Sequence, residues 1–200
     1  MHQRRLYMAR VRKNAGGGGE PALTNVFSFS GDSDGVTLES RNASWDGNST
    51  GYAVTSGALR PTNGYVDTPA FFSATTASDQ AVEATRLAGT MSAYIYWQLY
   101  LQRNGSQLGY HVDVAESNIA VLRDGSNLGI TTAHGVDQNT TDLTVKVTLV
   151  SGRLRIYVNG SSTPLIDYTD GSPITGGSPA YGCYANGAPA NMSVSSLKCS

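Results

Sequence analysis

Eight clusters of turn-forming residues punctuate this chain, and between them there is room for strands and little else. They are 31–35 (Gly-Asp-Ser-Asp-Gly), Asp46-Gly47-Asn48, Asn63-Gly64, Asn104-Gly105, Asp124-Gly125, Ser151-Gly152, Asn159-Gly160 and Asp170-Gly171. The runs between them are short and rich in Val, Ile, Tyr, Thr and Leu, a pattern that belongs to all-β sandwiches and barrels. Three runs alternate cleanly enough to assign faces. In residues 94–102, Ile95, Trp97, Leu99 and Leu101 fall on one side, and Tyr94, Tyr96, Gln98, Tyr100 and Gln102 on the other. Leu143, Val145, Val147 and Leu149 alternate with Thr144, Lys146 and Thr148; Leu154, Ile156 and Val158 alternate with Arg153, Arg155 and Tyr157. Each such strand buries one face only, as stacked antiparallel sheets require. Two hundred residues, 40% of them apolar, suffice for one such core.

The first 20 residues do not share this pattern. They hold five of the 14 basic residues (Arg4, Arg5, Arg10, Arg12, Lys13), only one of the 15 acidic ones (Glu20), and the run Gly16–Gly19. The remainder is left with nine basic and 14 acidic residues. We therefore divide the chain into a basic, glycine-rich docking arm (1–22) and a single β domain (23–200). An acidic body disfavours nucleic-acid binding and leaves the arm as the only basic patch. The arm reads as a peg held by an acidic or symmetric protein partner, or else as a disordered solubilising tail. No apolar stretch approaches the ~18 residues of a membrane span, and the charged start is not followed by an apolar leader segment. The two cysteines, Cys183 and Cys199, leave open a disulfide pinning the last strand or two reduced thiols.

The strand 143–149, the segment Gly152-Arg-Leu-Arg-Ile-Tyr-Val-Asn-Gly160, the strand 165–168, Gly182-Cys-Tyr and the final 192–198 resemble the closing strands of the concanavalin A-like lectin/glucanase superfamily, laminin G-like domains included. Residues 80–87 and 109–114 are similar to that fold's middle strands. The resemblance covers roughly residues 24–198, with its most specific part in the last third. It implies an all-β jelly-roll sandwich of two curved antiparallel sheets, with a concave face and rim loops that commonly meet carbohydrate. The superfamily spans lectins, hydrolases and scaffolds, so the fold does not fix the function.

Histidines are few (His2, His111, His134) and do not form a Ser/His/Asp cluster. The segment His111-Val-Asp113-Val-Ala-Glu116 is similar to the Glu-x-Asp-x-x-Glu strand of the superfamily's retaining glucanases, but His111 stands where that motif has its nucleophile. Retaining hydrolysis needs two carboxylates about 5–5.5 Å apart, so we expect no enzyme. The better candidate is the polar-aromatic row Tyr94, Tyr96, Gln98, Tyr100 beside His111 and Asp113. Sugars offer apolar C–H faces to aromatic rings and hydroxyls to amides and carboxylates. The same tyrosines would also arise from strand propensity alone. Trp45, in a polar loop, reads as a rim contact or a buried anchor. Asp32 and Asp34 supply too few oxygens for Ca²⁺, zinc spacing is missing, and no cofactor is expected.

The Met8-Ala-Arg-Val-Arg-Lys13 opening with its glycine run is similar to the openings of phage structural proteins. The expected role is a structural component of a tailed-phage virion, a minor tail or tail-tip protein. It would be assembled in the host cytoplasm and exposed on the particle surface, in multiple copies within a symmetric assembly. Other virion proteins would hold the arm, and the β domain would bind a host-surface glycan. A capsid decoration protein and a glycoside hydrolase of the same fold are the alternatives.

Overall fold

The computed structural model describes residues 19–47, 49–62, 69–73, 77–91, 95–104, 109–184 and 192–200. The arm residues Arg4, Arg5, Arg10, Arg12 and Lys13, together with Tyr94, lie outside the described residues.

Two antiparallel sheets stack face to face. The first runs β13 (Ile166–Thr169), β12 (Arg153–Val158), β11 (Leu143–Val150), β6 (Gln80–Arg86), β15 (Val194–Cys199), β4 (Ala58–Pro61) and β3 (Tyr52–Thr55). A further strand, β1 (Asn25–Ser28), pairs with β15 on the edge that β6 does not use. The second sheet runs β10 (Ser126–Ala133), β9 (Asn118–Arg123), β8 (Tyr110–Val114), β7 (Tyr96–Arg103), β14 (Ser178–Tyr184), β5 (Ala70–Phe72) and β2 (Trp45–Gly47). Consecutive strands β7 to β10 form a meander, whereas β5, β6 and β7 lie alternately in the two sheets, as do β13, β14 and β15. Among the described residues, no helix is long and apolar enough to cross a membrane.

Two turn pairs sit where the sequence places them, whereas Asp46-Gly47 pairs as part of β2, and Asn63-Gly64 and Gly105 lie outside the described residues. Asp124-Gly125 joins β9 to β10 and Ser151-Gly152 joins β11 to β12, both residues of each pair having positive φ (48° and 80°, 51° and 80°). Two-residue loops of this hand match the right-handed twist of the strands they connect.

The expected alternation sets the core face, but β7 does not bury one face only: Gln98 and Tyr100, on its other face, are also buried. Trp97, Leu99 and Leu101 of β7 meet Val145, Val147 and Leu149 of β11 and Leu154 and Ile156 of β12, all at most 1% exposed. Trp45 proves to be a buried anchor and not a rim contact. Its ring packs edge-on against Phe27 (5.5 Å) and Phe72 (5.4 Å), closing an aromatic trio near the end of the sandwich. The disulfide alternative is also corrected: Cys183 and Cys199 are free and buried in the core, on different sheets. Burial pushes each thiol up to about 12.

Gln102 departs from the alternation. It takes φ 59°, and the β7–β14 register slips between Ser178 and Ala180. A bulge of this kind adds one residue and re-aims the side chain. Gln102 therefore leaves the Tyr/Gln row and turns inward. Its amide donates to Ala77 O and Ser78 O (2.9 Å each), and its carbonyl accepts from Gly177 N (2.9 Å). Gln80, on the opposite sheet and fully buried, donates to Gly177 O (2.5 Å) and accepts from Gln102 N (2.8 Å). Two glutamines thus supply the buried backbone groups that the bulge takes out of the ladder. Gly177 must lack a side chain, because a Cβ there would stand 2.1 Å from the Gln102 carbonyl carbon.

A second polar tie links the sheets through a different set of residues. Arg86 of β6, 0% exposed, donates to Gln138 O (3.0 Å) and Gly89 O (2.9 Å). The Gln138 side chain in turn accepts from Trp97 Nε1 (3.3 Å) and donates to Ala115 O (2.5 Å). Of these two ties the glutamine one is the cleaner to probe. Gln80→Leu strands two buried backbone groups, so urea unfolding should show a loss of about 3 kcal/mol. Gly177→Ala should cost at least as much; wild-type midpoints for both variants would contradict this account.

Candidate functional site

Because β7 alternates, every side chain it does not bury against the first sheet points outward from the second. The strand register extends that outer face into rows. Gly182, Gln98, Asp113 and Ala120 stand side by side across β14, β7, β8 and β9, and Ala180, Tyr100, His111 and Leu122 form the adjoining row. Tyr184 pairs with Tyr96 one step further along. The face thus brings together Tyr96, Gln98, Tyr100, His111 and Asp113 as the sequence predicts.

These side chains form two tiers. Tyr100, His111 and Gln98 are buried, with Tyr100 only 4% exposed, whereas Tyr96, Tyr184 and Asp113 are half-buried. In the lower tier the Tyr100 hydroxyl donates to Gln98 Oε1 (2.7 Å), and the Gln98 amide donates to Asp113 Oδ1 (2.9 Å). The first bond fixes which end of the amide faces which neighbour, so the second orients the carboxylate. His111 packs its ring on Tyr100 (centroids 5.1 Å) and brings Nε2 to 3.8 Å from Asp113 Oδ1, beyond hydrogen-bond reach. Gly182 makes room for this tier: a Cβ there would come 3.2 Å from Gln98 Oε1 and 3.3 Å from Tyr100 Cε2.

In the upper tier the rings of Tyr96 and Tyr184 stack at 5.4 Å with 24° between their planes. The pair makes a ledge of aromatic surface beside the oriented carboxylate. Sequence reasoning missed Tyr184; the signal was its place two residues after Gly182 on a strand with the same face pattern. Chemically, the ledge offers ring faces to apolar C–H groups, and Asp113, its side chain 26% exposed, offers a charged acceptor to hydroxyl donors.

The motif compared with the glucanases is not laid out on one strand. Glu116 lies beyond β8, exposed in the turn to β9 where Ala115 N donates to Asn118 O. Asp46 shares the outer face by register, but it stands on β2 at the sheet edge, four strand spacings or about 19 Å from the β8 row. Asp32 pairs with Arg41, and Asp34 accepts from Ser56 N (2.7 Å), so both carboxylates tie the 31–35 turn to other parts of the chain.

No protein-family model matches the chain, and no curated protein matches it in sequence. Solved structures match it in fold. The exoplasmic/lumenal domain of VIP36 in its Ca²⁺- and mannose-bound form gives a TM-score of 0.56 at 16% identity, covering 78% of this chain and 82% of that one. The carbohydrate recognition domain of Emp46p in its metal-free form gives 0.58 at 9% identity, covering 82% and 95%. A mutant Trypanosoma rangeli sialidase displaying trans-sialidase activity gives 0.54 at 16% identity; there the match spans 78% of this chain but only 27% of the sialidase. At such identities the likeness is one of fold. The β domain is a concanavalin A-like jelly roll.

The Gln98–Tyr100 relay can be tested without a ligand. Tyr100→Phe should cost about 1 kcal/mol in urea unfolding. Together with Gln98→Leu it should give a double-mutant coupling energy of similar size, and strict additivity would show that the two groups are not coupled.

Proposed function

We propose that this chain is a glycan-binding module whose contact surface is the Tyr96–Tyr184 ledge beside Asp113. The observation that carries the reading is the stacked tyrosine pair set against a carboxylate that Gln98 and Tyr100 hold in one orientation. Preorganised acceptors and rigid rings lower the entropy lost on binding a flexible, hydroxyl-rich ligand. The fold supports the same reading: the VIP36 domain holds mannose in its bound form, and the Emp46p domain is a carbohydrate recognition domain. The ligand class is a neutral sugar. The rows across β14, β7, β8 and β9 carry Asp113 and His111 but no Lys or Arg. A ligand carboxylate some 6 Å from Asp113 would be repelled by about 1–3 kcal/mol.

Glycan-array binding should fall at least tenfold in Tyr96→Ala and in Tyr184→Ala while the unfolding midpoint moves little. Failure of the wild-type chain to bind any neutral glycan would overturn the reading. Hydrolysis of a β-glucan that disappears in Glu116→Gln would replace it with the hydrolase alternative.

The particle role is the finer part of the proposal. The chain serves as a structural protein of a tailed-phage virion, a minor tail or tail-tip component. Its basic arm is held by an acidic surface of a neighbouring virion protein, and its ledge faces the host envelope. Support comes from the arm's charge, five cations against one acid, on a body of the opposite sign. Deleting residues 1–19 should leave a folded domain that no longer enters particles; undiminished incorporation would sink the docking role.

A further inference from the structure

The outer face of the first sheet is built from charge. Lys198, Glu83, Lys146 and Tyr157 stand side by side across β15, β6, β11 and β12. Lys198 Nζ pairs with Glu83 Oε1 (2.6 Å), and Lys146 Nζ lies 5.5 Å from the Tyr157 ring centroid. Next to this row Arg155 and Arg153 both reach Asp167 (3.7 and 2.5 Å). Between Glu83, Thr144, Lys146, Tyr157 and Ser161 opens a cleft of about 480 Å³.

One wall of that cleft is not part of the sheet. Glu20, five residues ahead of β1, places its carboxylate 2.7 Å from Lys146 Nζ and 3.6 Å from Arg155 Nη1, and accepts a hydrogen bond from the Tyr157 hydroxyl. Burial alone would raise the Glu20 pKa, but the bonds from Lys146 and Tyr157 and the nearby cations outweigh it and hold the group below its ordinary value.

The topology gives this contact its meaning. β1 lies on the far edge of β15, so reaching the β11–β12 pair means crossing β15, β6 and β11. Three to three and a half strand spacings are about 14–17 Å, and five extended residues span at most about 17 Å. Side-chain reach from Glu20, Lys146 and Arg155 covers part of that distance, so the segment 20–25 can make the crossing over the outer face, and Pro21 favours an extended Glu20. We infer that Lys146, Arg155 and Tyr157 form a carboxylate clamp for Glu20, which delivers the arm to the outer face of the first sheet, opposite the Tyr96–Tyr184 ledge. A partner that grips the arm, an acidic protein surface by the arm's charge, then lies against the charged sheet and leaves the ledge open. The clamp rests on the fold alone; only the partner rests on the docking role proposed above.

The test uses the full chain with a nitroxide on Gly19→Cys, a position where a Cβ meets nothing within 4 Å. Cys183 and Cys199 are buried and should escape labelling under native conditions. Paramagnetic broadening should be strong at the amides of Ser161 and Thr144 and weak at those of Asp113 and Ala120. In Glu20→Lys, and separately in Lys146→Met, broadening at Ser161 should drop at least threefold while the rest of the spectrum is retained. Unchanged broadening in both variants, or strong broadening at Asp113 in the wild type, would overturn the clamp. Neutral-glycan binding should survive both substitutions, so loss of the clamp and loss of the ledge are read separately.

Discussion

Each strand of the second sheet must fill the core with one face and present a usable surface with the other. Sheets stacked about 10 Å apart leave room for a single interdigitated layer of side chains, so the inward row has to be apolar and continuous. Trp97, Leu99 and Leu101 meet that demand on β7, as do Val112 and Val114 on β8. The period of two then places Gln98 beside Asp113 and Tyr100 beside His111. A one-residue slip of β8 against β7 would exchange core and face together. The packing that stabilises the sandwich is therefore also what aligns the candidate site.

Polar groups inside such a structure are tolerated only where they are paired, and here they are paired in ways that join elements. Gln80 and Gln102 satisfy backbone groups released by the β7 bulge, while Arg86 and Gln138 link β6 to the β8–β9 turn. The lower tier of the candidate site follows the same rule. Tyr100 and Gln98 are buried, and their mutual bond restricts the amide to one orientation. Asp113 is thereby held in one orientation, and in the proposed function the half-buried tyrosine pair makes the contact.

The sequence made the strands and the face legible because both follow from local rules. Alternation separated Trp97 from Gln98 without reference to any partner strand, and paired turn residues such as Asp124-Gly125 marked the hairpins. What it did not show depends on contacts distant along the chain. Gln102 continues the pattern in sequence, yet the bulge opposite Ser178–Ala180 turns it inward. Trp45 sits in a polar stretch and is drawn into the core by Phe27 and Phe72. Tyr184 acquires its role from a register between strands 88 residues apart. Cys183 and Cys199 are close in sequence but stand on opposite sheets, which spacing alone does not reveal.

The two outer faces differ in a way that bears on how the molecule can be used. The outer face of the first sheet carries Lys146, Arg153, Arg155 and Lys198 against Glu20, Glu83 and Asp167, arranged as neighbouring opposite charges. Such a ladder is screened by salt, and its single pairs contribute little to stability, but it discriminates among protein surfaces because like charges brought opposite one another repel. The corresponding rows of the second sheet carry tyrosines, an amide and one half-buried carboxylate, with no lysine or arginine among them. A surface of that kind binds through ring contact and directed hydrogen bonds, and it depends less on ionic strength. Under the proposed function, a domain gripped by one face and recognising through the other has reason to separate these two chemistries. Glu20, held by Lys146, Arg155 and Tyr157, fixes the start of the segment leading to β1 on the charged side.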